Sequence, residues 1–178
     1  MSPAVFFDRD GTLIESFVID GKPIADNSTE RVRMLPGARE TCLALNTAGI
    51  KTFLVTNQPD IARGKVSEGH VSAVNASVAL QCGLTETLTC PHDDVRGCPC
   101  RKPRPGMIID LANRHGVDLS VSVVVGDRWR DVEAGRAAGC LTLFIDYGYA
   151  EAMVSEPTWR ASSISEAGLL LLRYFQIK

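Results

Sequence analysis

The sequence predicts an α/β protein built on a doubly wound, mostly parallel sheet of the Rossmann kind. Short β-rich runs alternate with helical patterns along nearly the whole chain, and strands separated by helices of this length imply right-handed crossovers. Acidic residues stand where apolar runs end, at Asp8 and at Asp127. A length of 178 residues with 45% hydrophobic content suits one domain with a sizeable core, so residues 1–178 are expected to form a single unit.

The elements follow in order. "AVFF" (Ala4 to Phe7) reads as a strand, "PGARETCLALNTAG" as a helix opened by Pro36 and closed by Gly49, and "KTFLVT" as a second strand. A helical stretch runs from about Gly69 to Cys82, a short strand from Glu86 to Thr89, and a helix from about Pro105 to His115, stopped by Gly116. "VSVVV" predicts a strand, "WRDVEAGRAAG" a helix, "LTLFI" another strand and "SEAGLLLLRYF" a packing helix. The piece from Glu15 to Leu35 reads as irregular and too short for a large second domain.

Charge and composition narrow the class of partner. With 19 basic and 21 acidic residues the net charge is −2, which gives no general attraction to nucleic acid or membranes. "RKPR" as a nucleic-acid patch is a poor reading, because interleaved aromatics are lacking. No run approaches the ~20 apolar residues that span a bilayer, and a cytoplasmic monomer acting on a small molecule is expected. Cys90, Cys98 and Cys100 crowd one loop with His92, whereas Cys42, Cys82 and Cys140 lie singly in apolar segments. That pattern reads as a metal site plus three core thiols, not a disulfide framework.

Ligands of an open parallel sheet bind just beyond the carboxyl ends of its strands. Asp8 follows one strand, Thr56 ends another and Asp127 follows a third, so these residues should meet at one rim, with Asp10 beside Asp8 and Asp131 behind. Any one of these aspartates alone is as well explained as a helix cap. Together they repel one another unless a cation sits among them, and Mg²⁺ with substrate phosphate is the natural guest. "DRDGT" turns sharply at Gly11, and successive N–H groups in such a turn can cradle phosphate. Lys102 in "CRKPRPG" adds a fixed positive charge, and Thr56 and Asn57 add hydrogen-bond donors. One carboxylate can attack phosphorus while the other trades a proton with the leaving group and then with water.

"DRDGT", "TNQ", "RKP" and "GDRWRD", in that order, resemble the four motifs of the haloacid dehalogenase superfamily of phosphatases. The resemblance covers about Val5 to Ile145. It implies that Asp8 is the nucleophile, Asp10 the acid/base, and Thr56 and Lys102 the holders of the phosphoryl group. It further implies Mg²⁺ held by Asp8, the backbone carbonyl of Asp10, and Asp127. With so little chain between motifs, the protein resembles a capless member closed only by the loops Glu15 to Leu35, Pro59 to Lys65, and the cysteine loop.

That loop, "CPHDDVRGCPC", sets Cys90 and His92, then Cys98 and Cys100, as alternate residues around prolines. The four suit tetrahedral Zn²⁺ in a structural role, with free or redox thiols as the alternative. Its position before "RKP" resembles the zinc loop of the heptose bisphosphate phosphatases and of the related histidinol-phosphate phosphatases. "TNQPDIARG" and "RKPRPGM" are similar to the former, and the short loop and Arg128 to the latter. The resemblance implies a heptose 1,7-bisphosphate that loses its 7-phosphate as the first expected substrate, with histidinol phosphate or another small phosphorylated metabolite as alternatives and a non-catalytic phosphate-binding module as a remote one. Asn57, Gln58, Arg63, Arg101 and Arg128 are the expected substrate-binding residues.

Overall fold

The structure, a computed structural model, describes residues 1–19, 22–25 and 32–177; of residues 18, 19, 22–25 and 96 it describes the backbone alone. The elements are β1 (Ala4–Phe7), β2 (Ser16–Ile19), β3 (Lys22–Ala25), α1 (Ala38–Thr47), β4 (Lys51–Asn57), α2 (Glu68–Cys82), β5 (Glu86–Cys90) and α3 (Gly106–His115). They continue as β6 (Val123–Gly126), α4 (Trp129–Ala138), β7 (Leu141–Ile145), β8 (Trp159–Ala161) and α5 (Ile164–Tyr174). The main sheet runs β5-β4-β1-β6-β7-β8, and every neighbouring pair in it is parallel.

Both faces of this sheet are covered, and side-chain alternation along each strand divides the core in two. Val5 and Phe7 of β1, Leu54 of β4, and Val123 and Val125 of β6 pack against Cys42 and Leu45 of α1, Val74 and Val78 of α2, and Leu171 of α5. Ala4, Phe6, Phe53, Val55 and Val124 point to the opposite face, against Met107, Ile108 and Leu111 of α3 and Ala134 of α4. The Phe6 and Phe53 rings stack at 5.2 Å. Each fully buried Leu or Phe side chain in these layers contributes about 1.5–3 kcal/mol. Cys42, Cys82 and Cys140 are buried thiols, as their apolar surroundings in the sequence suggest.

The chain leaves β1 toward β4 and β5 on one side, then returns to β6, β7 and β8 on the other. The order therefore reverses at β1, and the crevice beyond the ends of β1, β4 and β6 is the topological switch point where such sheets bind ligands.

Three local readings are corrected. Residues 16–19 and 22–25 of the supposedly irregular stretch pair as an antiparallel hairpin, Ser16 opposite Ala25 and Phe17 opposite Ile24. The rest of the expected gripping segment, 20–21 and 26–31, lies outside the described residues. The "VSVVV" strand begins at Val123, because Leu119–Val121 form a 3-10 turn capped by Asp118, whose side chain accepts from the Ser120 N–H. β8, with the sequence WRA, was not anticipated; it is a short edge strand whose middle residue is an exposed arginine.

Candidate active site

Asp8 is the first residue beyond β1, and its N–H donates to the Val125 carbonyl of β6 at 2.9 Å. The backbone then folds back sharply. The N–H groups of Thr12, Leu13 and Ile14 all donate to the Arg9 carbonyl, and that of Gly11 donates to the Ile14 carbonyl. The expectation of a run of amides open to phosphate is corrected accordingly: most of them close the turn, leaving those of Arg9 and Asp10 outside these bonds. Gly11 has φ +76°, and a Cβ there would lie 2.0 Å from Asp127 Oδ2. Only glycine permits both the left-handed backbone and so close an approach.

Lys102 reaches the same point from the loop before α3. Its ammonium donates to Asp8 Oδ1 at 2.7 Å and to the Val55 carbonyl at 2.8 Å, and it lies 2.5 Å from Asp131 Oδ1. Three acceptors match its three N–H donors, and the side chain is only 3% exposed. Burial acts to lower its pKa, but Asp131 and Asp8 outweigh burial and hold it above the ordinary lysine value, so the charge stays. Asp131, in the first turn of α4, accepts from the Arg128 N–H. Burial is the main cause that pushes its pKa up to about 6 against the pull of Lys102.

Asp127 completes the rim after β6. Both of its carboxylate oxygens are buried with no partner at hydrogen-bond geometry among the described residues, though the Tyr149 hydroxyl is near enough to act on its charge. Burial, with Asp8 and Asp131 next, raises its pKa well above the usual carboxylate range. Asp8, Asp127 and Asp131 each place one oxygen within 4.8 Å of the others. Orphaned carboxylate oxygens in a hard-oxygen donor set fit a divalent cation such as Mg²⁺. Since Asp131 is engaged by Lys102 and Arg128, Asp8 and Asp127 are the side chains open to such an ion.

The Asp10 carboxylate is held apart from these. Arg9 forks onto it, Nε to Oδ2 at 3.1 Å and Nη2 to Oδ1 at 3.2 Å, and Gln58 Nε2 donates to Oδ2 at 2.8 Å. Burial foremost, with a smaller push from Asp8, raises its pKa despite Arg9. Gln58 Nε2 also donates to Thr56 Oγ1 at 2.9 Å, so both its N–H groups serve the site internally. Asn57 is engaged at both ends with the Lys102 backbone, to its carbonyl and from its N–H, each at 3.0 Å. Asn57 and Gln58, expected to face substrate, line the cavity described below and also hold Lys102, Asp10 and Thr56 in place.

A cavity of about 310 Å³ opens above these groups, lined by Asp8, Asp10, Lys102, Arg63, Arg101 and Arg128 among others. Arg128 is clamped by Glu151 through two of its nitrogens. Arg101 donates to Asp94 Oδ1 at 2.8 Å and to the His92 carbonyl at 3.1 Å, and Arg63 pairs with Asp60 at 3.2 Å. Sequence reasoning missed two further cations on this wall, Lys65 and Arg130. Arg130 has no ion-pair partner among the described residues; its guanidinium lies 4.7 Å over the Trp129 ring. The alternation in "RWR" was the available signal.

Beside the cavity, the cysteine loop gathers its four residues. Cys100 Sγ lies 3.2 Å from Cys90 Sγ, 3.4 Å from Cys98 Sγ and 3.4 Å from His92 Nδ1, and Cys90 Sγ is 3.6 Å from both Cys98 Sγ and His92 Nδ1. Zinc bonds of ordinary length in a tetrahedron separate their ligands by about 3.5–3.8 Å, so the set fits a structural zinc ion. Burial pushes the Cys98 thiol up, but hydrogen bonds from Cys100 and the Arg101 N–H, among others, outweigh it and bring it to about 6. The Gly106 N–H donates to the Pro99 carbonyl at 3.1 Å, tying this loop to the start of α3.

Comparison with known proteins agrees with this geometry. The haloacid dehalogenase-like hydrolase family matches residues 27–139. The D-glycero-β-D-manno-heptose-1,7-bisphosphate 7-phosphatase of Rhodopseudomonas palustris is 39% identical over 149 residues, 77% of this chain and 79% of its own. The enzyme of the same name from Bordetella bronchiseptica is 33% identical over 149 residues, 81% and 80% of the two chains. A crystal structure of D,D-heptose 1,7-bisphosphate phosphatase from B. bronchiseptica, complexed with magnesium and phosphate, aligns with a TM-score of 0.81 and 30% identity over 97% of this chain and 99% of that one. With its carboxylate rim at the switch point of a parallel sheet and a family match over more than half its length, the chain belongs to the haloacid dehalogenase-like hydrolases.

Proposed function

We propose that the protein is a Mg²⁺-dependent phosphomonoesterase that removes the 7-phosphate of D-glycero-D-manno-heptose 1,7-bisphosphate. The observation that carries the chemistry is the pairing of two carboxylates in opposite states of engagement. Asp8 faces the cavity with Lys102 on one oxygen, while Asp10 is held against the same cavity by Arg9 and Gln58. Asp8 attacks phosphorus and the bond to the sugar oxygen breaks; that oxygen takes the proton of Asp10. Asp10 then takes a proton from water as its oxygen attacks the phosphoryl group, and the acyl-phosphate bond breaks to restore Asp8. Burial, which raises Asp10, suits a carboxyl that must arrive protonated. Lys102, with its N–H groups on Asp8, Asp131 and the Val55 carbonyl, supplies a fixed positive charge beside the transferring phosphoryl group, and the Thr56 hydroxyl, which accepts from Gln58, keeps its own proton to donate to a phosphoryl oxygen. Mg²⁺, held by Asp8, Asp127 and the Asp10 carbonyl, would neutralise charge on the transferring group.

The substrate reading is supported by the relatives' names and by the cations of the cavity wall. A second phosphate on the substrate can pair with Arg130, whose guanidinium makes no direct ion pair among the described residues, and with Arg63, Lys65 and Arg101, which also line the cavity. The free thiols fit a reducing, cytoplasmic location, and among the described residues no helix is long and apolar enough to cross a membrane. Phosphate release from heptose bisphosphate, histidinol phosphate, sugar monophosphates and aryl phosphates tests the reading. The bisphosphate is expected to have the highest kcat/KM, and Asp8→Asn to abolish turnover of every substrate. A better rate with histidinol phosphate would overturn the heptose assignment, and an active Asp8→Asn protein the mechanism.

A further inference from the structure

Among the described residues Arg9 is the largest fully buried side chain, 1% exposed, although it stands between the two aspartates of the site. In an extended strand, neighbouring side chains point to opposite faces, and Arg9 would not touch Asp10. The turn that closes on the Arg9 carbonyl brings them together, and the guanidinium grips both Asp10 oxygens. Its remaining arm is also fixed. Arg9 Nη1 donates to Asn75 Oδ1 at 3.0 Å, and Asn75 Nδ2 donates to Thr89 Oγ1 at 2.8 Å. Asn75 is itself buried in α2, and Thr89 belongs to β5. A chain of three side chains therefore runs from Asp10 to two elements that carry none of the expected catalytic residues.

We infer that Arg9, anchored by Asn75, is a positioning residue that fixes the Asp10 carboxyl in the orientation from which it serves the leaving group. A planar fork on a carboxylate sets the rotation of its plane as well as its charge, which a lysine cannot do. Neutralising the Asp10 charge alone would need neither the second bond nor the anchor in α2. The inference rests on the proposed acid/base role of Asp10, and its consequence is selective. Proton donation matters most when the leaving oxygen is a poor leaving group. Asp8 and Lys102 make no hydrogen bond with Arg9, and Thr56 connects to it only indirectly, through Gln58 and Asp10.

The test is a leaving-group series, from p-nitrophenyl phosphate through phenyl phosphate to an alkyl phosphate, measured on Arg9→Lys, Asn75→Asp and Asp10→Asn proteins with Mg²⁺ present. Arg9→Lys keeps the charge and loses the fork. Its kcat/KM for the alkyl phosphate is expected to fall on the order of 100-fold, with p-nitrophenyl phosphate and inhibition by inorganic phosphate little changed. For p-nitrophenyl phosphate kcat and KM should fall together, because the second half-reaction still needs Asp10. Asn75→Asp offers Arg9 a competing carboxylate and should give the same slope in weaker form, which keeps the test decisive if Arg9→Lys does not fold. Equal losses across the series, or none, in either variant would overturn the inference. Asp10→Asn separates the two readings. A steep series there with flat series for Arg9→Lys and Asn75→Asp removes only the positioning role, whereas a flat series in Asp10→Asn removes the acid/base role itself.

Discussion

Lys102 sets the charge balance of the site, because one buried ammonium stands between two carboxylates. Removing one member of a buried ion pair leaves the others uncompensated, at a cost of about 3–5 kcal/mol. Lys102→Met should therefore be inactive and, at neutral pH without added metal, melt roughly 10 °C lower. That deficit has a definite pH dependence. Asp131 is already pushed up to about 6 with Lys102 present, so in the variant it titrates higher still. As pH falls from 7 toward 5 the folded variant takes up protons that an unfolded carboxylate, with a pKa of about 4, does not hold. The deficit should shrink over that window in thermal melts, and a constant or growing deficit would contradict the arrangement. Gly11→Ala is expected to lower kcat on the order of 100-fold, since its Cβ would drive Asp127 from the rim.

At the scale of elements, the cysteine loop and α3 act as one part. A Cβ on Gly106 would lie 2.4 Å from the Pro99 carbonyl, so the helix start and the loop fit only with glycine between them. Purified protein is expected to contain about one Zn²⁺ per chain by elemental analysis, and to lose it at acid pH as protons compete for the thiolates. Cys98→Ser or chelation should lower the melting temperature and, by loosening the loop that carries Arg101 and Lys102, raise KM more than it lowers kcat. Zinc-free protein of unchanged stability would refute a structural ion. Proteolysis near Val95, which is 91% exposed, gives an independent reading of loop order.

Across the whole molecule, a net charge of −2 conceals a gathering of cations around the cavity: Arg63, Lys65, Arg101, Arg128 and Arg130 line it together with the site carboxylates. Salt screens such a field within about 8–10 Å at physiological strength. If the wall receives a second phosphate, kcat/KM for a bisphosphate should fall with ionic strength more steeply than for a monophosphate. Arg130→Ala should reduce that difference while sparing aryl-phosphate hydrolysis. Identical salt slopes for the two substrate classes would remove the wall from substrate selection.

The sequence by itself determined the doubly wound sheet, because apolar runs, crossover helices and turn residues are local signals written in chain order. It also brought out Asp8, Thr56 and Asp127, since residues that follow strands of one parallel sheet must share its rim, with Asp10 beside Asp8 by spacing; Lys102 was marked by its charge and its motif, and Cys90, His92, Cys98 and Cys100 by their spacing. The antiparallel pairing of 16–19 with 22–25 and the edge strand at Trp159 were not legible, because short strands owe their state to a partner rather than to their own pattern. Tertiary structure alone decided which groups touch. The turn amides bond to Arg9, Asn57 and Gln58 are engaged within the site, Arg128 is taken by Glu151, and Arg130 is left facing the cavity. Arg9 makes the difference plainest: its neighbour Asp10 is adjacent in sequence, but its anchor Asn75 is 66 residues away. A residue type and its position state what a side chain can do; only the packing of distant elements fixes which of its hydrogen bonds are already made.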